Sequence, residues 1–360
     1  MYFEKFEPNK GKMLQIIDEK GKLKNKSLLP NLEDEQLIEM LRTMITARTT
    51  DETMMKLQRQ GRMPTFPPNL GQEAVIGSAV ALEKGKDWMV ITYRELAAWL
   101  YFGMPLESIL TYWSGSELGS KIPEDVNMTP ISVPLATQCQ HAAGIAFANK
   151  YQKNDKVTLC YIGDGATSQG DFHEAINFCA INETASVFVI QNNQWAISTP
   201  ISIQTKSKTF AGKGEAYGVR GIVVDGNDAL AVYAATKEAI DLARAGKGPS
   251  IIEMYTYRMG PHTTSDDPSV YRDEAITEEW RKKDPIDRLE AYLIEKGAWT
   301  PEQSEKLREE VVENFKTTFE KVEKMEDTPL EEVFNYIYAN RTPDLQKQYE
   351  ERKAYYEATK

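Results

Sequence analysis

The pattern of hydrophobic and polar positions is clearest between residues 156 and 190, where two apolar runs flank a segment with helical spacing. The first run, residues 156–162, has the character of a strand buried on both faces of a parallel sheet. The second run covers residues 187–190. Apolar residues between the runs recur every three or four positions, which predicts a helix over 171–182. Together these segments predict one βαβ unit with a right-handed crossover and two parallel, neighbouring strands.

Polar residues follow each of these two predicted strands. Asp164 lies between Gly163 and Gly165 directly after the first strand, and Asn192-Asn193 ends the second. Because parallel strands end at the same edge of a sheet, we expect Asp164 and Asn193 to emerge there together. Open α/β sheets bind ligands outside this carboxyl edge. The pattern therefore predicts a ligand site at the ends of these strands.

The residue types at this edge indicate which ligand it binds. A carboxylate and an amide oxygen are hard ligands, which suit Mg²⁺ or Ca²⁺ and do not suit zinc. Mg²⁺ usually completes its coordination with water and phosphate oxygens. Gly163 and Gly165 leave room for a phosphate near the backbone, and the start of the next helix offers free N–H groups to an anion. The site is therefore interpreted as a magnesium-bridged diphosphate site.

Two other phosphate-binding motifs do not fit this segment. The dinucleotide fingerprint needs a third glycine where Ser168 stands, and the P-loop needs Gly-Lys-Ser/Thr where Gly170 is followed by Asp171. A turn without any ligand is a further alternative, because Gly-Asp-Gly turns are common. The paired asparagines at the matching strand end favour the ligand site over the bare turn.

The rest of the chain predicts an α/β fold: a mostly parallel sheet flanked by helices, with a helical C-terminal extension. Three divisions are expected: a polar, lysine-rich arm over residues 1–30, the α/β domain over 31–272, and the extension over 273–360. Further strands are predicted near residues 88–92, 221–226 and 251–257, and the main helices near 34–60, 137–151 and 228–245. Thr300-Pro301-Glu302-Gln303 predicts a helix that starts with a capping box.

Two basic residues outside the βαβ unit are further candidates. Arg94 follows Tyr93 at a predicted strand end, where it can grip a diphosphate; a surface salt bridge is the alternative. His262 lies in a long loop, where it can serve proton transfer or donate to a phosphate; a solvated surface histidine is the alternative.

Charge and cysteine content limit the possible partners and location. The net charge of −11 argues against nucleic acid or an anionic membrane as a partner. The three cysteines lack metal or redox spacing and are expected to be buried free thiols, as in a reducing compartment. The charged first twelve residues predict no secretory signal, and no apolar stretch has the length of a membrane span. A cytoplasmic location is therefore expected.

The spacing from Gly163-Asp164-Gly165 to Asn192-Asn193 resembles the thiamine diphosphate-binding motif. The resemblance extends to the alpha subunit of the decarboxylating component of 2-oxo acid dehydrogenase complexes, and most closely to bacterial pyruvate dehydrogenases. It covers about residue 30 to the C-terminus. The matching segments are residues 71–74, 92–94, 163–172, 191–200 and 257–263.

This resemblance implies thiamine diphosphate and Mg²⁺ as cofactors, and oxidative decarboxylation of pyruvate with transfer of the acetyl group to a lipoyl group. It implies catalytic roles for His262 and Arg258. The implied metal ligands are the side chains of Asp164 and Asn193 and the backbone carbonyl of Trp195. The residues implied to surround the cofactor are Tyr93, Arg94, Val133, Leu135, Asp164, Gly165, Ala166, Asn193 and His262.

The resemblance also implies partners: a beta subunit in an α₂β₂ tetramer, and the lipoyl-bearing acyltransferase core of the complex. The aromatic residues after residue 285 are the expected interface for the beta subunit: Tyr292, Trp299, Phe315, Phe319, Phe334 and Tyr336. Two alternatives stay open. The same scaffold can act on a branched-chain 2-oxo acid or acetoin, or the chain can be a binding subunit without catalytic activity.

Overall fold

A five-stranded parallel sheet forms the centre of the computed structural model, which describes residues 1–325 and 328–359. The strand order is β1-β2-β3-β7-β6, and β4 and β5 form a small antiparallel pair beside it. The strands are β1 (Trp88–Val90), β2 (Thr158–Gly163), β3 (Ser186–Asn192), β4 (Trp195–Ala196), β5 (Thr199–Pro200), β6 (Arg220–Asp225) and β7 (Ser250–Tyr255).

Helices cover both faces of the sheet and continue to the end of the described chain. They are α1 (Tyr2–Lys5), α2 (Asp34–Arg59), α3 (Ile76–Val80), α4 (Leu96–Phe102), α5 (Leu106–Trp113), α6 (Thr137–Tyr151), α7 (Gly170–Ile181), α8 (Ile201–Gln204), α9 (Ala229–Arg244), α10 (Glu274–Arg281), α11 (Pro285–Glu295), α12 (Pro301–Glu323), α13 (Leu330–Asn335) and α14 (Pro343–Thr359). This architecture confirms the predicted fold class.

The predicted βαβ unit is present as β2, α7 and β3. The two strands are parallel neighbours, and the register pairs Gly163 with Gln191, so that both chains leave the sheet at the same edge. One local detail differs from the expectation. A 3₁₀ helix, Gly165–Ser168, lies between the strand and α7. The glycine-flanked turn therefore spans more residues than a simple strand-to-helix turn needs.

Alternate residues of the central strands face two separate cores, as the period of two in a β-strand requires. Leu159 and Tyr161 of β2 join the core that includes α9, whereas Cys160 and Ile162 join the core that includes α6 and α7. Burial on both faces explains why these strands are continuously apolar in sequence. All three cysteines are free and buried, as expected.

The segment predicted as a polar arm packs in part against the sheet. Leu14 extends the edge of β6: its N–H donates to the Val223 carbonyl, and its own carbonyl accepts from the Asp225 N–H, both at 2.9 Å. Ile16 and Ile17 are fully buried, and their N–H groups donate to Asp228. This part of the chain therefore belongs to the core, because its few apolar residues are the ones that pack into the fold. The division into three domains stays a prediction.

The C-terminal extension packs mainly through α12 against α2. The capping box that begins α12 is present, with Thr300 N–H donating to Gln303 Oε1 at 2.9 Å. The expected aromatic interface is wrong for four of its six residues, because their side chains fill the chain's own core. The buried four are Tyr292, Trp299, Phe315 and Phe319.

No helix of residues 1–325 and 328–359 is both long enough and apolar enough to cross a membrane.

Candidate functional site

A cavity of about 420 Å³ opens at the carboxyl edge of the sheet, a size typical of small-molecule and cofactor sites. The turn after β1, the loop after β3 and the long loop after β7 all contribute to its wall. Ten of the eleven predicted site residues line it: Tyr93, Arg94, Val133, Leu135, Gly165, Ala166, Asn193, Trp195, Arg258 and His262. The structure therefore brings together residues that are up to 169 positions apart in sequence (93 to 262).

Asp164 is the exception: it is buried and does not line the cavity, although its neighbour Gly165 does. The side chain is buried, and its Oδ2 accepts a hydrogen bond from Gln204 Nε2 at 2.7 Å. Burial raises the pKa of Asp164 to about 6, because the charged form loses solvation. A buried carboxylate in this condition gains most from a cation that restores the lost solvation.

Asn193 and Trp195 offer two further oxygens at the same edge. Asn193 Nδ2 donates to Gln72 Oε1 at 3.0 Å, and its Oδ1 accepts from the Trp195 N–H at 3.2 Å. The Trp195 carbonyl accepts from Arg258 Nη1 at 3.4 Å. The described residues contain no cluster of three or more His, Cys, Asp or Glu side chains suited to a metal ion. A metal at this edge therefore needs the mixed set of carboxylate, amide and carbonyl oxygens.

Arg94, Arg258 and His262 converge on one side of the cavity. Arg94 Nη2 donates to the His262 carbonyl at 2.8 Å and lies 3.2 Å from His262 Nδ1, which therefore acts as acceptor. Arg94 also donates to the Pro68 carbonyl. Arg258 Nη2 donates to the Ile197 carbonyl at 2.7 Å and to the Tyr271 hydroxyl at 2.8 Å. None of these direct partners is a carboxylate; Arg258 reaches Asp266 only through the Tyr271 hydroxyl, which donates to Asp266 Oδ2 at 2.6 Å.

The electrostatics of this basic cluster favour an anion. Burial, and then the charge of Arg94, lowers the pKa of Arg258 to about 10. Burial, and then the charges of Arg94 and Arg258, lowers the pKa of His262 to about 4, so the imidazole is neutral at pH 7. Within residues 1–325 and 328–359, neither arginine forms a salt bridge. The surface salt bridge considered for Arg94 is therefore absent, and its buried guanidinium faces the cavity instead.

Glu95 fixes the turn that carries Tyr93 and Arg94. Its buried carboxylate accepts from Thr92 N–H at 3.0 Å, from Thr92 Oγ1 at 2.5 Å and from Gln191 Nε2 at 2.7 Å. These bonds tie the end of β1 to the end of β3 across the intervening strand β2. The arginine is thereby held on a rigid support, which ligand recognition requires.

Several residues at the site were not predicted. Gln72 orients Asn193, and Gln204 contacts Asp164. Phe66 and Trp113 contribute aromatic surface to the cavity, with ring centroids 6.5 Å apart. Signals were available for Gln72, which lies in one of the segments that carry the family resemblance, and for Phe66, whose proline-rich segment 66–69 departs from the pattern of some related sequences. The others reach the site through contacts between distant parts of the chain.

Replacing Arg94 by alanine is expected to weaken diphosphate binding by roughly 1.5–3 kcal/mol, the scale of a hydrogen bond to a charged group. The physical reason is the loss of a buried guanidinium that has no carboxylate partner. Calorimetric titration with thiamine diphosphate and Mg²⁺ measures the effect. Arg62→Ala is the matched control, because Arg62 is exposed and pairs with Glu323 outside the site. Equal affinity of Arg94→Ala and the parent contradicts the assignment.

Comparison with known proteins identifies the class of this chain. Residues 41–331 match the family model described as the dehydrogenase E1 component, so the chain belongs to that family. It is 49% identical over 346 residues to a protein of Acholeplasma laidlawii, covering 95% of this chain and 100% of the relative. It is 42% identical over 344 residues to a protein of Staphylococcus aureus strain Mu50, and the match covers 95% of this chain and 93% of the relative.

A protein of Mycoplasma pneumoniae is 39% identical over 345 residues, with 96% of each chain covered. All three relatives bear the name pyruvate dehydrogenase E1 component subunit alpha. The family predicted from the sequence motifs is therefore confirmed. None of these names favours the branched-chain or acetoin alternative.

Proposed function

We propose that this chain is the alpha subunit of a pyruvate dehydrogenase E1 component and that it holds the diphosphate and metal end of thiamine diphosphate. The reaction is oxidative decarboxylation of pyruvate with transfer of the acetyl group to a lipoyl group. Family membership implies the cofactor. The observation that carries the site assignment is the convergence of two buried arginines without carboxylate partners on the strand ends that carry Asp164 and Asn193.

The residues present fit a magnesium-bound diphosphate. The oxygens of Asp164, Asn193 and Trp195 are the hard ligands that Mg²⁺ prefers, and the phosphates complete such a site. Gly165 lies at the cavity wall, and a Cβ there would meet the Ala196 Cβ at 2.6 Å, so only glycine lets the loop after β3 pack this closely against the turn after β2. Arg94 and Arg258 supply positive charge on the same side. Two unpaired donors nearby, Gln72 Nε2 and Arg258 Nε, offer further hydrogen bonds to a phosphate.

The chain's own residues then have separate roles. Asp164, Asn193 and the Trp195 carbonyl would hold the metal ion, while Tyr93, Arg94, Gly165 and Ala166 surround the phosphates. Val133 and Leu135 would contact the aminopyrimidine ring. When bound, thiamine diphosphate supplies the electron sink for decarboxylation. The neutral imidazole of His262 can donate a hydrogen bond to a phosphate or to the reacting substrate, because its Nδ1 already accepts from Arg94.

Arg258 is assigned to the substrate side of the site. Its guanidinium bridges the loop after β3, through the Trp195 and Ile197 carbonyls, and the long loop after β7, through Tyr271. Burial lowers its pKa only to about 10, so it keeps its charge at pH 7. A charged group at this junction can orient an anionic 2-oxo acid or its product. This role supports the catalytic assignment of Arg258 together with His262.

A beta subunit is the proposed partner for the open side of the cavity. Val133, Leu135 and Ile197 line the cavity, and about half of each side chain is exposed, at 51%, 47% and 55%. Apolar residues beside a cofactor site gain stability when a second chain covers them. The lipoyl-bearing acyltransferase core is the proposed acceptor of the acetyl group.

Pyruvate is the proposed substrate, and the name borne by the relatives supports it. The test is steady-state kinetics of this chain co-expressed with its beta subunit, with pyruvate and 3-methyl-2-oxobutanoate as competing substrates. We expect kcat/KM to favour pyruvate by at least about tenfold, since bulky Phe66 and Trp113 line the cavity and a pocket discriminates by ~1–3 kcal/mol per methylene-sized group. A preference for the branched substrate contradicts the proposal.

A further inference from the structure

Gln204 occupies a position at the metal site that the proposed ligand set does not include. It ends the short helix α8, and its Nε2 donates both to Asp164 Oδ2 at 2.7 Å and to the Thr199 carbonyl at 3.0 Å. Asp164 Oδ2 is therefore satisfied by an amide N–H group where the proposed function places a metal ion. The Gln204 side chain is therefore a direct neighbour of the proposed metal ligand Asp164.

The orientation of the amide leaves its oxygen without a partner. Because both neighbours of Nε2 are acceptors, the NH₂ group must face them, and the oxygen must point the other way. Gln204 Oε1 is buried and has no hydrogen-bond partner. A Cβ placed on Gly165 would lie 4.0 Å from this oxygen, so Oε1 lies beside the glycine at the cavity wall. A buried, unpaired amide oxygen is energetically unfavourable, so this position is suited to a hydrogen-bond donor.

The segment that carries Gln204 is weakly held by apolar packing. Within residues 194–209, every residue is half-buried or exposed, and Ile203 of α8 is 76% exposed. Trp195 and Ile201 pack partly against the cores, and the other attachments are polar: Gln204 to Asp164, Arg258 to the Ile197 carbonyl, and Ile201 N–H to the Gln194 carbonyl. A segment held in this way can change position at low energetic cost.

We propose that Gln204 is a positioning residue of the metal site. Its N–H group donates to Asp164 Oδ2 and so orients this carboxylate. When Mg²⁺ is bound, Gln204 Oε1 accepts a hydrogen bond from a water molecule on the ion. This inference rests on the proposed function, and it assigns to Gln204 the coupling between metal binding and the position of residues 194–209.

The chemistry of hydrated Mg²⁺ supports this assignment. Mg²⁺ keeps several of its waters when it binds protein, and those waters present only hydrogen-bond donors to their surroundings. Gln204 Oε1 is an acceptor that lacks a donor, so the two requirements are complementary. Outer-shell groups that orient metal ligands typically contribute 10–100-fold to metal affinity.

The test is calorimetric titration of Mg²⁺ into the complex of this chain with its beta subunit, saturated with thiamine diphosphate. Gln204→Leu keeps the side-chain size but removes donor and acceptor, and we expect the Kd for Mg²⁺ to rise by about 10–100-fold. Gln204→Glu should bind Mg²⁺ at least as tightly as the parent, because it places a second carboxylate near the ion. Ser202→Ala, an exposed change in the same helix, is the matched control and should bind normally.

Opposite effects of Gln204→Leu and Gln204→Glu support the proposal, since a purely structural role predicts that both weaken binding alike. An unchanged Kd for Gln204→Leu overturns it. If the Gln204→Leu chain does not assemble with the beta subunit, a higher Kd for Mg²⁺ in Gln204→Glu than in the parent overturns the proposal. Failure of the parent complex to bind Mg²⁺ contradicts instead the proposed function.

Trypsin digestion gives an independent readout of the segment. Lys206 and Lys208 are exposed and follow Gln204 closely. In the parent complex, Mg²⁺ and thiamine diphosphate together should slow cleavage at these lysines relative to thiamine diphosphate alone. Gln204→Leu should lose this protection, whereas Ser202→Ala should keep it. Equal protection in Gln204→Leu and the parent contradicts the coupling.

Discussion

The purified chain, assayed without a second subunit, is expected to show at least about a hundredfold lower activity with pyruvate than the complex with a beta subunit. The reason lies in the composition of the cavity. Among the described residues that line it, none is an aspartate or a glutamate. A thiamine diphosphate enzyme needs an acid-base group, usually a glutamate, beside a pyrimidine nitrogen. The residues that line this cavity can hold the diphosphate end but supply no carboxylate for the other end. Glu95 lines an adjoining smaller pocket, and its carboxylate is already bonded to Thr92 and Gln191.

The architecture supports the same expectation. The described part of the chain contains one large parallel sheet, and beyond β7 its regular elements are helical. A second α/β half is therefore not available within these residues. The partly exposed Val133, Leu135 and Ile197 at the cavity are suited to a partner surface. Obligate interfaces of this kind are large and apolar.

The measurement compares acetyl transfer to lipoamide by the chain alone, by the beta subunit alone and by the reconstituted mixture. Sedimentation or size-exclusion experiments on the same samples report the assembly state, for which α₂β₂ is expected. Full activity of the isolated chain contradicts the shared site. Assembly without recovery of activity would instead indicate a binding subunit, which is the non-catalytic alternative.

The sequence predicts the central part of this fold well because the relevant signals are local. The apolar run of β2, the helical spacing of α7 and the apolar run of β3 lie within about 35 consecutive residues. Because the connection makes the two strands parallel, Asp164 and Asn193 must emerge at the same edge of the sheet. The same reasoning places Arg94, because it follows the end of β1. Strand ends can therefore be predicted as site positions without knowledge of side-chain contacts.

Docking between distant segments was not predictable in the same way. Ile16 and Ile17 lie among lysines and look like part of a polar arm, yet both are buried beside Asp228. Phe315 and Phe319 are one turn apart on α12 and suggest an exposed apolar stripe, but that stripe is covered, mainly by α2. Local periodicity shows that a face is apolar. It does not show whether the same chain or a partner covers that face.

Gln204 shows the limit most clearly at the site. It lies 40 residues after Asp164, in a polar segment without regular periodicity, and a glutamine in such a segment carries no signal of its own. Its role depends on which atoms meet Asp164 Oδ2 and on which oxygen is left unpaired. Those features follow from tertiary structure alone. Residue type and spacing are enough to propose the ligands, whereas the groups that orient them can be proposed only from coordinates.

Replacing Asp164 by alanine is expected to abolish Mg²⁺-dependent binding of thiamine diphosphate. Asp164 is the single charged group among the three proposed metal ligands. Removing it should weaken Mg²⁺ binding by more than the 10–100-fold that is typical when an outer-shell group is changed. Calorimetric titration with the cofactor and Mg²⁺ on the complex with the beta subunit measures the effect. Asp155→Ala is the matched control, because it removes an exposed carboxylate near the opposite end of β2.

The same substitution should leave the fold intact, and this separates a binding role from a structural one. Burial raises the pKa of Asp164 from 3.8 to about 6, so the ionised carboxylate is penalised in the folded chain. Its unfavourable contribution is complete above pH 6 and disappears as the pH falls below about 4. At pH 7.5, Asp164→Ala should therefore melt at or above the temperature of the parent in the absence of Mg²⁺, and this advantage should vanish near pH 4.

Thermal melts with and without Mg²⁺ and thiamine diphosphate show whether Asp164 is needed for ligand binding or for folding. The parent complex should be stabilised by the two ligands together, because they bind the folded state. Asp164→Ala should show no such stabilisation, although its ligand-free melt is unimpaired. A residue that costs stability in the empty chain and is needed for ligand binding is placed there by function. Retained cofactor affinity in Asp164→Ala, or a large loss of ligand-free stability, would contradict this assignment.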